Sequence, residues 1–168
     1  MLKKQKGIVS IIPILVAGKK NKIRQDKILE SVGLSILLTC YVTYYTGYLT
    51  PICGCVVKSG IGAAGGITYL LGGTSKQIEG AIRNISGNIV GTLCDGAKTG
   101  CAIKLSSASV SAIQCSLLAL NGVIIPAGNG IVSETFKDTV KNIGLISKSM
   151  SRTEENLVKI LKSHTKRI

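Results

Sequence analysis

The chain has no tryptophan, one phenylalanine and one histidine among its 168 residues. With so few large aromatics, the core has to be assembled from Ile, Leu, Val, Ala and Gly. The lone histidine, His164, lies in a basic tail and reads as a surface residue. A cysteine nucleophile would therefore have no imidazole base. Acids are scarce as well: 8 Asp and Glu stand against 21 Lys and Arg, a net charge of +13. The bases crowd the two ends, Lys3, Lys4, Lys6, Lys19, Lys20, Lys22, Arg24 and Lys27 at one, Lys137, Lys141, Lys148, Arg152, Lys159, Lys162, Lys166 and Arg167 at the other. They are not interleaved with aromatics, and no helix-turn-helix, zinc-finger or RNA-recognition pattern accompanies them, which argues against nucleic acid as a partner. Between positions 59 and 133 only Lys76, Glu79, Arg83, Asp95, Lys98 and Lys104 are charged, so the middle reads as buried and the ends as solvated. No stretch of four or more residues alternates apolar and polar between turns. The reading is therefore all-α, a multi-helix domain with Gly-rich turns.

No cleavable leader is expected either. The start is basic and then apolar over 7–17, but Pro13 interrupts the run and Gly18-Lys19-Lys20 ends it. The six cysteines, at 40, 53, 55, 94, 101 and 115, are accordingly placed in a reducing, cytoplasmic compartment. There they are metal-binding, catalytic or simply buried rather than disulfide-bonded. Residues 31–57 and 105–133 carry no charge and exceed the roughly 20 residues that cross a bilayer. Thr39, Thr43, Thr46, Thr50 and Pro51 break up the first, and Gln114, Asn121, Pro126 and Asn129 the second. Such polar positions suit helices buried in a core better than helices facing lipid, so no membrane partner is expected. A small helical membrane protein stands as the rival reading.

What is present divides into a basic segment at 1–24, a helical domain at 25–163 and a frayed basic tail at 164–168. The first is expected to be extended or briefly helical and to end at Gly18. A helix over 25–48 carries Ile28, Leu29, Val32, Ile36 and Leu37 at three- and four-residue steps. A second, over 55–72, holds Gly60, Gly62, Gly65 and Gly66 among small residues. Each glycine costs a helix about 1 kcal/mol against alanine, so a close contact with another helix or a cofactor is expected. No Gly-Lys-Ser/Thr occurs and no GxGxxG follows a strand, which excludes a nucleotide loop. Thr74-Ser75-Lys76-Gln77 is a capping box opening a helix with Ile78, Ala81, Ile82, Ile85 and Ile89 on one face. Further helices are expected at about 102–120, at about 134–146 and after a second capping box at Ser151.

Two cysteine-rich turns remain, Pro51-Ile52-Cys53-Gly54-Cys55 and Cys94-Asp95-Gly96-Ala97-Lys98-Thr99-Gly100-Cys101. They are expected to meet in space. Cys101 falls at a helix start, where a thiolate is favoured. Zinc would use four close Cys or His ligands, and this spacing is not a common one for it. A cubane iron–sulfur cluster tolerates three thiolates and leaves one iron open. Buried hydrophobe is the reading kept for Cys40 and Cys115.

Together with the run ending Tyr69-Leu70-Leu71-Gly72-Gly73, these two motifs resemble the L-cysteine desulfidase family, the UPF0597 group, which is related to the alpha chain of iron–sulfur L-serine dehydratases. The likeness covers nearly the whole chain and only the C-terminal part of the family. It implies a [4Fe-4S] cluster on Cys53, Cys94 and Cys101, with Cys55 as the alternative to Cys53. It also implies a lyase that eliminates across the α and β carbons of L-cysteine or L-serine. Asp95, Lys98 and Lys104 would orient the loop or balance charge around it. The family's catalytic base belongs to an N-terminal half absent here, so no catalytic residue is assigned. The chain is expected to be inactive alone, a remnant, one subunit of a split enzyme or part of a homo-oligomer. Lys4-Gln5-Lys6-Gly7 stands where the family has a Gly-Asn-Gln/His-Gly segment, which removes that substrate-binding motif.

Overall fold

The glycine-rich segment is the axis of the molecule. In a computed structural model, which describes residues 2–96 and 98–165, it forms α3 (Val57–Leu70), in which every residue but Tyr69 is buried. Around it pack α1 (Leu2–Lys20), α2 (Gln25–Thr46), α4 (Ser75–Ile89) and α5 (Thr99–Leu120). Next come α6 (Phe136–Ser149), against α2 and α4, and α7 (Ser151–Thr165), which touches only α6. Among the described residues there is no strand, only one isolated bridge, and the fold is all-α. The His164 side chain and the last three residues of the expected frayed tail lie outside the described residues.

Glycine pays its helix penalty here through backbone approach. A methyl group on Gly62 would stand 2.2 Å from the Thr39 hydroxyl and 2.4 Å from the Ser35 carbonyl oxygen. On Gly66 it would stand 2.7 Å from the Ser31 carbonyl oxygen. This contact turns α2 the other way from the apolar spacing. Ser31, Ser35, Thr39 and Thr46 face the core with Ile28 and Val42, whereas Leu29, Ile36 and Leu37 are exposed. The buried hydroxyls are satisfied locally. Thr39 donates to the Ser35 carbonyl at 2.8 Å, and Ser35 crosses to the Ser10 carbonyl of α1 at 2.8 Å. Small hydrogen-bonded side chains let two helices come together where branched ones would hold them apart.

The N-terminal segment is a full helix rather than a short element ending at Gly18. α1 runs through Pro13, which removes one backbone donor, and continues to Lys20. Val9 and Ile14, both fully buried, hold it on the core, and Gly18 lies so close to Ile28 that a methyl group there would meet it at 2.5 Å. The capping box at Thr74 and Gln77 forms in both directions. The Tyr41 and Tyr45 rings meet at a tilt with centroids 5.2 Å apart, and Tyr41 meets Phe136 at 5.1 Å, which docks α6 on α2. Cys115 is buried as expected, but Cys40 is exposed, because it lies on the outward face of the rotated α2. By length and composition α2 and α5 could each cross a membrane, a test that the core helix of a soluble protein also passes.

Candidate functional site

The two cysteine-rich turns meet. Their backbones form the isolated antiparallel bridge between Ile52 and Leu93. The Cys53 N–H donates to the Thr92 carbonyl at 2.8 Å, and the Cys94 N–H donates to the Pro51 carbonyl at 2.7 Å. Reciprocal bonds of this kind fix the two segments in register and bring Cys53 and Cys94 side by side. Downstream, the Cys53 carbonyl accepts from the Val56 and Val57 N–H groups, which starts α3 directly behind the turn. Cys94 does not sit on the end of α4. It follows a turn at Val90 and Gly91, closed by the Thr92 N–H on the Ile89 carbonyl, and the residues after that turn supply the bridge.

The two thiols lie within hydrogen-bonding reach of each other. Cys53 acts as donor: the bond, together with its burial, pushes its own pKa up. The accepted bond pulls the Cys94 pKa down to about 6, against the opposing effect of burial. The Gly96 N–H and the Lys104 charge help to lower it, and Asp95 works the other way. The site thus favours one thiolate and one thiol, with the charge on Cys94, which is also the less buried of the two. Cys55 is buried and within electrostatic reach of Cys53.

Lys104 closes the outer side. Its ammonium reaches back from α5 to the Leu93 carbonyl at 3.1 Å and to the Asp95 carboxylate at 2.5 Å. That pair raises the Lys104 pKa and lowers that of Asp95. Lys98 holds the N-cap position of α5 without a side-chain cap bond, is exposed, and acts on Asp95 only through its charge. Cys101 is buried in the first turn of α5, and its N–H bonds to the Lys98 carbonyl at 2.9 Å.

Cys53, Cys94, Asp95 and Lys104 are therefore gathered, and Cys101 lies buried at the start of the helix that follows their loop. Among the described residues, no three Cys, His, Asp or Glu side chains converge to hold a single metal ion. A cubane spreads its thiolates over separate irons, so its ligands need not converge in that way. The soft, all-sulfur character of Cys53, Cys94 and Cys101 suits iron and sulfide, and a thiol with a pKa of about 6 is already deprotonated for ligation at neutral pH.

One residue of the site escaped the sequence reading. Lys58 is fully buried beneath the first turn. Its ammonium donates to the carbonyls of Gly47 and Tyr48. A signal for it existed: Lys58 is the only charged residue between Glu30 and Lys76, three positions after Cys55.

The family model of the serine dehydratase alpha chain matches residues 4–159. A UPF0597 protein of Caldanaerobacter subterraneus subsp. tengcongensis is 43% identical over 152 residues, which are 90% of this chain and 36% of that protein. One from Clostridium tetani is 42% identical over 156 residues, 92% of this chain and 37% of the relative. One from Desulfotalea psychrophila is 41% identical over 162 residues, 96% of this chain and 37% of the relative. The chain thus spans little more than a third of the length of these curated relatives. No solved structure matches it.

Proposed function

The chain belongs to the serine dehydratase alpha-chain family, and on that premise we propose that it is the cluster-binding part of a cytoplasmic iron–sulfur lyase. The reaction is α,β-elimination, of L-cysteine to pyruvate, ammonia and sulfide or of L-serine to pyruvate and ammonia. The observation that carries the proposal is the contact between Cys53 and Cys94 across the Ile52–Leu93 bridge, with one thiol acidified beside Lys104. Cys53, Cys94 and Cys101 are the proposed ligands of a [4Fe-4S] cluster, with Cys55 the alternative to Cys53. When bound, such a cluster supplies a Lewis-acidic iron for the departing β-substituent.

The chain's own residues prepare that site. Burial of Cys53 and Cys101 keeps water from the sulfurs. The Lys104–Asp95 pair fixes the loop between the bridge and α5 and keeps a positive charge near the Cys94 thiolate. No catalytic residue is assigned among the described residues. Since the match covers little more than a third of each relative, we assign the base to the part of them that this chain does not match, in the same polypeptide or in a partner. A 1–24 segment, a 25–163 cluster-binding domain and a 164–168 tail remain our proposed division.

Anaerobic reconstitution with ferrous iron and sulfide tests the reading. The wild-type chain should take up iron and develop the broad visible absorption of a cluster, and Cys94→Ala should lose both. Absence of colour in the wild type would sink the proposal. Pyruvate formation from cysteine by the reconstituted 168-residue chain alone would refute the need for a further part. Recovery only with detergent would favour the membrane alternative raised by α2 and α5.

A further inference from the structure

We infer that Lys58 is a positioning residue for the sulfur site, one that props the Cys53-Gly54-Cys55 turn from below and sets a fixed positive charge under it. This inference rests on the cluster reading proposed above. Among the described residues Lys58 is the largest fully buried side chain. It leaves the first turn of α3 and runs back under the turn that precedes the helix. A methyl group built on Gly54, the residue between the two cysteines, would stand 3.4 Å from Cδ, Cε and Nζ of Lys58 alike. The outer end of the lysine side chain therefore lies along the Gly54 backbone. Beyond it, the ammonium binds the Gly47 carbonyl and, at 3.4 Å, the Tyr48 carbonyl, just past the end of α2. One side chain thus ties the end of α2 to the turn that carries Cys53 and Cys55.

The position is an expensive one for a lysine. Taking an ammonium out of water costs several kcal/mol even after relaxation. The Lys58 ammonium lies at the C-terminal end of α2, where the helix dipole favours a cation and offsets part of that cost. A spacer that only filled volume would be cheaper as Met or Leu. What a lysine adds there is charge. The thiolates of an iron–sulfur site bring negative charge into a buried place, and a fixed cation nearby lowers the cost of assembling it. The same charge favours the reduced, more negative form, so it raises the reduction potential. Lys104 lies on the outer, partly exposed side of the site, and Lys58 is buried under the Gly54 backbone.

The test compares the wild-type chain with Lys58→Met, which keeps length and removes charge, and Lys58→Gln, which keeps one donor without charge. Each is reconstituted anaerobically with ferrous iron and sulfide. Thermal melts of the apo chains, iron per chain and the midpoint potential of the loaded centre are then recorded. Both variants should melt cooperatively, load less iron by about twofold or more, and show a more negative potential. Wild-type iron content and potential in the folded variants would overturn the inference. Reduced loading with an unmoved potential would overturn it as well, since packing alone would do that. If neither variant folds, Lys58 is a determinant of the fold and the inference falls. If the wild type itself takes up no iron, the failure lies with the cluster reading and is seen before any variant is compared.

Discussion

Replacing Cys53 by alanine removes the donor that holds the Cys94 thiolate, and the consequence can be worked through. In the wild type Cys94 sits at a pKa of about 6, chiefly through the hydrogen bond from Cys53. At pH 7 roughly nine-tenths of it is thiolate. Without the donor, burial and Asp95 still disfavour the charge, and only the Gly96 N–H and Lys104 still support it. Its pKa should return towards the ordinary thiol value of about 8.5 to 9, leaving on the order of one part in a hundred ionised at pH 7. The alkylation rate does not fall by that factor. Thiolate nucleophilicity rises with pKa at a Brønsted slope of about 0.4–0.5, so three pH units return roughly twentyfold. The two effects nearly offset, and the net rate at pH 7 should drop only about fivefold. A single-pH assay would mislead. The decisive quantity is the midpoint of the pH–rate profile of Cys94, read with iodoacetamide on the metal-free chain under anaerobic conditions, with each cysteine peptide quantified by mass spectrometry. In the wild type the rate should be half-maximal at about pH 6 and level off by about pH 7, and in Cys53→Ala it should still be climbing at about pH 8. Because the two thiols titrate as a pair, Cys53 should stay unreactive until well above the ordinary thiol range. Superimposable profiles for wild type and variant would refute the thiol–thiolate pair.

Three further predictions follow from the packing. Gly62→Ala sets about 1–3 kcal/mol of overpacking against a helix-propensity gain of about 1 kcal/mol; with a backbone carbonyl 2.4 Å from the new methyl group, the loss should win. Gly33→Ala, with nothing within 4 Å, should instead gain about 1 kcal/mol, so thermal melts should move in opposite directions for the same chemical change. Thr74→Ala breaks a complete capping box and should cost about 1 kcal/mol, a melting shift of about 2–4 °C for a chain of this size. A bulky maleimide should label Cys40 in the native chain and leave Cys115 untouched until denaturant is added, because the first is exposed and the second buried.

Much of the fold was legible because the sequence marks helix ends with local chemistry. The Thr74–Gln77 capping box opens α4 as expected, and Gly47 ends α2 with a φ of 87°. The glycine run was legible too, since so many unfavourable residues in one helix point to close approach, and α3 shows that approach on both Gly62 and Gly66. The face of α2 was not. Leu29, Ile36 and Leu37 recur at helical steps and point outward, while Ser31, Ser35 and Thr39 point in. Periodicity ranks side chains by hydrophobicity, but α3 presents almost no side chains to α2 on this side. What fits against bare backbone is small and satisfies its own hydroxyl on the preceding turn. The outward apolar stripe is then left for another surface. Pro13 misled for a related reason: its lost hydrogen bond is local, and the burial of Val9 and Ile14 that offsets it comes from other helices.

The sulfur site divides along the same line. Motif spacing could pair the two turns, because Cys53 and Cys94 are set in apolar, glycine-rich segments that must be close to be useful. It could not show how they are joined. The Ile52–Leu93 bridge is a single ladder step, too short for any alternation to register, yet its two backbone bonds put the thiols in contact. Nor could spacing separate the roles of the charges. Asp95, Lys98 and Lys104 looked alike on the page, but only Asp95 and Lys104 bond to each other, and Lys104 alone also reaches the Leu93 carbonyl at the bridge. Lys98 stays exposed at the helix start. The fully buried Lys58 was overlooked because it belongs by position to the glycine helix and by contact to the cysteine turn. Sequence proximity assigns a charge to its neighbours along the chain. A long, flexible side chain serves the backbone it can fold back to reach, and for Lys58 that is the turn carrying Cys53 and Cys55.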